Sequence, residues 1–186
     1  MDDSWLGRPI AVLMSGEPGS GKTTLARALG ESLRVPVVSK DRLRQGTLWS
    51  LRTRDIDKAP PGPPLWYAVM EAHLQLGISV IGDMALFADV SEEEVQTRLA
   101  PLADLFNVHC VATSSHERLL DRAERDPIHA HRVNYLAEQT KVWTEQNRFV
   151  QLNLGCPSLV VDTTSGYEPS LDQIIDAIVE FASGRP

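Results

Sequence analysis

The chain has 186 residues, 42% of them hydrophobic, 23% charged and only 6% aromatic, which fits one globular domain and excludes a disordered or fibrous chain. Lys and Arg number 18 against 25 Asp and Glu, a formal net charge of −7. That balance argues against gripping a nucleic-acid backbone with a broad basic face, while leaving room for a small, locally basic pocket.

The start, Met1-Asp2-Asp3-Ser4-Trp5, is acidic and lacks the layout of a signal peptide. No apolar run approaches the ~20 residues needed to span a bilayer. Cys110 and Cys156 stand far apart in or beside apolar stretches, so two buried, inert thiols are expected rather than a disulfide or a CxxC metal site. The expected setting is cytoplasmic.

Along the chain, strand-length apolar runs alternate with helical patterns, as in an α/β domain with a parallel sheet. Ile10 to Met14 is apolar throughout and reads as a first strand buried on both faces. Leu25, Leu29 and Leu33 recur every four residues and predict a helix from about Lys22 to Leu33. Val35 to Val38 reads as a short second strand, followed by a helix from about Asp41 to Arg54. Ala59-Pro60-Pro61-Gly62-Pro63-Pro64 is expected to be a stiff irregular loop, because proline fixes φ and removes a donor. Pro64 can open a helix to about Leu76, stopped by Gly77. Ile78 to Ile81 is the expected third strand.

Ser91-Glu92-Glu93-Glu94 has the form of a capping box and predicts a helix with the apolar stripe Val95, Leu99, Leu102 and Leu105, kinked or divided at Pro101. A fourth strand is expected at Phe106 to Ala112, then a helix capped by Ser114 or Ser115 and running through Arg125. A longer helix is expected from about Arg132 to Phe149, and a fifth strand at Leu159 to Val161. The last helix, from Ser170, puts Leu171, Ile174, Ile175, Ile178 and Val179 on one face.

Gly16-Glu17-Pro18-Gly19-Ser20-Gly21-Lys22-Thr23 fits G-x-x-x-x-G-K-[ST] without a gap, between a predicted strand and a predicted helix. Glycines let successive amides curl inward toward an anion, and the following helix adds its N-terminal dipole. Lys22 can reach β- and γ-phosphates, and the Thr23 hydroxyl can hold Mg2+.

With these residues, the chain resembles the P-loop kinase family, and within it the small phosphotransferases that include chloramphenicol phosphotransferase, gluconate kinase and the kinase domain of polynucleotide kinase. The resemblance covers nearly the whole chain and is most specific around Met14 to Thr24. It implies a three-layer α/β P-loop NTPase fold, one domain with five parallel strands in the order 2-3-1-4-5. It also implies an acceptor-binding helical insert over about 41–77 and an arginine-bearing lid over about 118–135. ATP and Mg2+ are the implied cofactors, the nucleotide being held by Gly16, Glu17, Pro18, Gly19, Ser20, Gly21, Lys22, Thr23 and Thr24.

The resemblance extends to three further segments. Asp41 matches an Asp that orients or deprotonates the acceptor hydroxyl, and Arg44 an Arg that holds the acceptor. A carboxylate at a strand's C-terminal edge is where ligands bind in open α/β sheets; the alternative, compatible with that role, is that Asp41 caps the helix that follows. Asp83 ends the third strand in a Walker B-like position, as a ligand to Mg2+ or to the acceptor, or simply as a turn residue. Arg118, Arg122 and Arg125 share a helical face. Arg122 and Arg125 are the implied lid arginines, the alternative being a solvated face paired with Glu117, Asp121 and Glu124.

Thr163 and Thr164, after the fifth strand, are implied to line the base. His109, His116, His129 and His131 have no Cys or acid at metal-ligand spacing. Trp49, Arg52, Arg54, Trp66 and Tyr67 bracket the proline loop and suit either a small-molecule pocket or the core.

The expected activity is transfer of the γ-phosphoryl of ATP to a hydroxyl of a small metabolite or antibiotic, with Lys22, Asp41, Arg122 and Arg125 in catalytic roles. The alternatives are a nucleoside monophosphate kinase, a polynucleotide 5′-hydroxyl kinase and a non-catalytic NTP-dependent switch.

Overall fold

The computed structural model describes residues 7–53, 55, 61–125 and 133–184. The strands are β1 Ile10–Ser15, β2 Val37–Ser39, β3 Val80–Asp83, β4 Asp104–Val111 and β5 Ser158–Asp162. The helices, renumbered in chain order, are α1 Lys22–Leu33, α2 Lys40–Ser50, α3 Gly62–Gln75, α4 Ser91–Arg98, α5 Ser115–Arg125, α6 Val133–Glu145 and α7 Leu171–Ser183. All five strands are parallel, in the order β2-β3-β1-β4-β5, as the family resemblance implies.

The two faces of the sheet carry separate cores, because side chains alternate along each strand. Ala11 and Leu13 of β1 face one way and pack with Trp66, Tyr67 and Met70 of α3 and Val95 of α4. Val12 and Met14 face the other way and pack with Leu25 and Leu29 of α1 and Ile174 and Ile178 of α7. Ser170 and Gln173 form a reciprocal capping box that starts α7, closing this layer.

Two glycines make close packing possible. A Cβ at Gly82 of β3 would lie 2.4 Å from the Trp66 ring and 2.8 Å from Met70 Cε. A Cβ at Gly30 of α1 would lie 2.4 Å from the Val37 side chain.

Register brings the catalytic candidates to one edge. Met14 pairs with Asp83 across β1–β3, and Asp83 pairs with Ser39 across β3–β2. The loop after β1, the end of β3 and the start of α2 therefore stand side by side at the C-terminal edge of the sheet, where open α/β sheets bind ligands.

Several local expectations are corrected. β2 begins at Val37 and β3 at Val80, two residues later than predicted at each start; Ile78 is exposed and Ser79 Oγ accepts the Ile10 N–H at 3.0 Å. The helix expected to Arg54 ends at Ser50. α3 starts at Gly62, so Pro63 and Pro64 lie inside its first turn, where their missing N–H groups cost nothing. Ser91 is the first residue of α4 rather than its cap, and its hydroxyl accepts the Phe87 N–H at 2.9 Å. α4 stops at Arg98, short of Pro101, and Leu105 belongs to β4. α6 ends at Glu145, and the chain turns through Asn147 (φ 55°) before burying Phe149.

Candidate active site

The phosphate loop is shaped by three glycines with positive φ: Gly16 at 120°, Gly19 at 86° and Gly21 at 78°. Space forbids side chains as firmly as backbone conformation does. A Cβ on Gly16 would sit 2.1 Å from the Cys110 carbonyl oxygen, and one on Gly19 would sit 1.9 Å from that of Ser115. β4 and the start of α5 thus press directly on the loop. Gly21 stands at the N-cap of α1 with no capping side chain, so the helix's first amides are not taken by a cap and suit an anion.

Lys22 is buried and folds back over the loop. Its Nζ donates to the carbonyls of Gly16 at 2.8 Å and Glu17 at 2.6 Å, with Ser20 Oγ at 3.4 Å. Burial pulls its pKa from 10.5 down to about 8, and the nearby Lys40 adds to that. The negative charges of Asp83 and Glu17 work the other way. Thr23 and Thr24 are exposed at the start of α1.

On the acceptor side, Asp41 is half-buried in the first turn of α2, and Lys40 Nζ approaches its Oδ1 at 3.8 Å. A Cβ on Gly62 would come within 2.8 Å of the Lys40 stem and 3.0 Å of the Arg44 stem. The start of α3 therefore rests on both basic side chains. Asp83 is buried at the end of β3. Trp66 and Tyr67 are fully buried core residues, with Trp66 Nε1 donating to the Val38 carbonyl at 2.9 Å, while Trp49 is 87% exposed. Of the two readings, pocket or core, Trp66 and Tyr67 take the core.

On the side of β5, Thr163 is buried, and its hydroxyl donates to the Ser20 carbonyl at 2.9 Å. Arg118 of α5 donates to the carbonyls of Thr163 at 2.8 Å and Thr164 at 2.7 Å. Arg118 is a brace between α5 and the loop after β5. Thr164 is half-buried beside it, its hydroxyl accepting the Thr113 N–H at 3.1 Å. Arg122 and Arg125 follow on the same helix. Their side chains lie outside the described part of the structure, as do residues 126–132 with His129 and His131, and Arg54.

Beneath the loop is a buried polar network that sequence reasoning missed. Ser15 Oγ donates to Asn107 Oδ1 at 2.9 Å and lies 3.0 Å from His109 Nδ1, and Asn107 Nδ2 donates to Ser158 Oγ at 2.8 Å. Burial, with Lys22 nearby, holds His109 below its ordinary pKa. Asn107 and His109, interrupting the apolar run from Leu105 to Val111, were the available signal. Lys40 was also missed, having no motif of its own.

The oxygen donors suit a hard cation. Mg2+ commonly takes one or two protein oxygens and completes its shell with phosphates and water, which matches the Thr23 hydroxyl and the Asp83 carboxylate. Among the described residues no group of three or more His, Cys, Asp or Glu gathers around a point.

A protein-family model described as an AAA domain matches residues 12–135, more than half of the chain. Among solved structures, a chain from Chloroflexus aurantiacus J-10-fl, provisionally assigned as a kinase, superposes with a TM-score of 0.74 at 24% identity, covering 95% of this chain and 97% of that one. A gluconokinase from Sinorhizobium meliloti 1021 gives 0.60 at 14% identity over 95% of each chain. A shikimate kinase from Bacteroides thetaiotaomicron gives 0.53 at 15% identity, covering 93% of this chain and 98% of that one. These likenesses show a shared P-loop kinase fold. A cytidylate kinase from Pyrobaculum arsenaticum is 53% identical over 34 residues, 18% of this chain and 18% of that protein's length.

Proposed function

Because the chain belongs to the AAA domain family whose model spans its residues 12–135, we propose that it is an ATP-dependent phosphotransferase that moves the γ-phosphoryl of ATP to a hydroxyl of a small molecule. The observation that carries this reading is the shared strand edge. Register aligns the end of β1, which opens into the glycine loop, with Asp83 and with Ser39, two residues before Asp41. That alignment sets the glycine loop, the buried lysine and the two carboxylates along one edge of the sheet, and this supports reading the edge as the place where a γ-phosphate and a hydroxyl meet.

In this reading the loop amides and Lys22 hold the triphosphate. Thr23 and Asp83 hold Mg2+, which when bound neutralises charge on the β- and γ-phosphates. Asp41 accepts a hydrogen bond from the acceptor hydroxyl, aligning its oxygen with the γ-phosphorus and taking the proton as the new P–O bond forms. The bond to the β,γ-bridging oxygen breaks and ADP leaves. Arg44 and Lys40 flank Asp41 and hold the acceptor. Arg122 and Arg125 supply positive charge as it spreads over the transferring phosphoryl. The insert over about 41–77 and the lid over about 118–135 are the acceptor and closing segments of one domain.

A nucleoside monophosphate kinase is the second reading, favoured by the short match to a cytidylate kinase and by Arg44 three residues after Asp41. ADP release from ATP, measured across sugar acids, alcohols, aminoglycosides, nucleosides, nucleoside monophosphates and oligonucleotide ends, with Lys22→Ala as control, separates the classes. Acceptor-dependent ADP release with one hydroxyl compound supports the first reading, and release with a monophosphate alone supports the second. Slow hydrolysis that no acceptor stimulates overturns both in favour of an NTP-dependent switch.

A further inference from the structure

Glu17 is the only acid in the glycine loop, and a carboxylate is electrostatically out of place in a cradle for phosphates. Its backbone faces inward, the carbonyl accepting from Lys22 Nζ at 2.6 Å. Its side chain is tethered elsewhere. The Ser115 hydroxyl, at the start of α5, donates to Oε1, and Thr144 Oγ1 of α6 lies 3.4 Å from Oε2. The Thr144 hydroxyl also donates to the Thr140 carbonyl at 2.8 Å, so its proton is shared and Ser115 is the firmer anchor. Ser115 is buried, and its own carbonyl is the atom that presses on Gly19. One residue of α5 therefore supports the loop twice, by its backbone under Gly19 and by its hydroxyl on Glu17.

We propose that Ser115, with Thr144 as a second donor, restrains the Glu17 carboxylate away from the phosphates, so that the ends of α5 and α6 set how much negative charge a bound triphosphate meets. Glu17 and Ser115 are positioning residues in this scheme, and neither touches the reacting atoms. The inference rests on the reading of this loop as the nucleotide site.

The test is calorimetric binding of a non-hydrolysable ATP analogue and of ADP, each with Mg2+, to the full chain and to E17Q, S115A and E17Q/S115A. Ser115→Ala frees the carboxylate and should weaken analogue binding about three- to tenfold, the scale of one screened unit charge within about 6 Å of a phosphate. The loss should be smaller for ADP and should shrink as salt is raised. Glu17→Gln keeps the loop backbone through which Glu17 engages Lys22 and removes the charge to be restrained, so it should bind more tightly than the parent, and adding Ser115→Ala to it should change nothing further.

A purely structural role for Ser115 would give the same loss in both backgrounds, and that result overturns the proposal. So does an S115A variant without loss, or an E17Q variant that binds as weakly as S115A. Should S115A fail to fold by thermal melt, Thr144→Val replaces it in the same cycle, with a smaller effect of the same sign. A parent chain that binds no nucleotide overturns the functional reading together with the restraint. A parent that binds, with additive substitutions, overturns only the restraint.

Discussion

Replacing Lys22 with Met should make the protein more stable at neutral pH while abolishing nucleotide binding. Lys22 is buried, and its pKa falls from 10.5 to about 8, chiefly through burial. Each pKa unit corresponds to about 1.4 kcal/mol, so holding this ammonium in the fold costs about 3 kcal/mol at pH 7. Met keeps the stem and removes the charge. It also leaves the Gly16 and Glu17 carbonyls without their donor, a loss of about 1 kcal/mol each.

The net gain is therefore about 1–2 kcal/mol, or a rise in Tm of about 2–8 °C for a chain of this size. The sign with pH is fixed. Below pH 8 the lysine is charged in both states and the full cost is present. Between pH 8 and 10.5 the unfolded chain binds more protons, so parental stability rises relative to the variant. Above 10.5 the cost has gone, while the neutral amine still donates, and the parent should be the more stable by about 2 kcal/mol. Urea unfolding followed by tryptophan fluorescence at pH 7 and pH 10.5 reads the crossover. A variant that is less stable than the parent by the same amount at both pH values would refute the reasoning.

Three further expectations concern the site and its support. Asp41→Asn should retain affinity for ATP and lose phosphoryl transfer by about 100-fold or more, as for a removed general base, measured by comparing binding with acceptor-dependent ADP release; undiminished turnover would remove Asp41 from its role. Gly82→Ala drives a methyl into Trp66, which is pinned by its bond to the Val38 carbonyl, and should cost about 1–3 kcal/mol in urea unfolding; an additional Trp66→Phe change should recover part of that loss. Burial pushes the Cys110 thiol up to about 12, so a thiol reagent at pH 8 should modify the half-buried Cys156 first and reach Cys110 only on unfolding.

What was legible in the sequence was the part whose physics is local. The four-residue spacing of Leu25, Leu29 and Leu33 marks α1, and the glycine spacing marks the loop before it. The strand order came from the family that those residues resemble. Local signals misled where a tertiary partner competed. Ser91 looks like a cap, yet Phe87 claims its hydroxyl. Leu105 continues a helical stripe, yet it pairs with Ala11 in the sheet. Pro63 reads as part of a stiff loop, yet it joins Pro64 in the first turn of α3, where a helix has amides to spare. The supports of the site were not legible at all. Ser115 and Thr144 lie 98 and 127 residues from Glu17, Thr163 lies 143 from Ser20, and no short-range pattern encodes such contacts.

The central claim is transfer to a hydroxyl, and isotope fate tests it most directly. The protein is incubated with ATP carrying 18O on the three terminal γ-oxygens, together with a mixed pool of hydroxyl compounds, and the pool is examined by mass spectrometry. Transfer predicts one phosphorylated product whose phosphoryl retains all three labelled oxygens and whose bridging oxygen is the acceptor's own, absent with Lys22→Ala. Label appearing in inorganic phosphate alone, with every acceptor unmodified, would contradict the account.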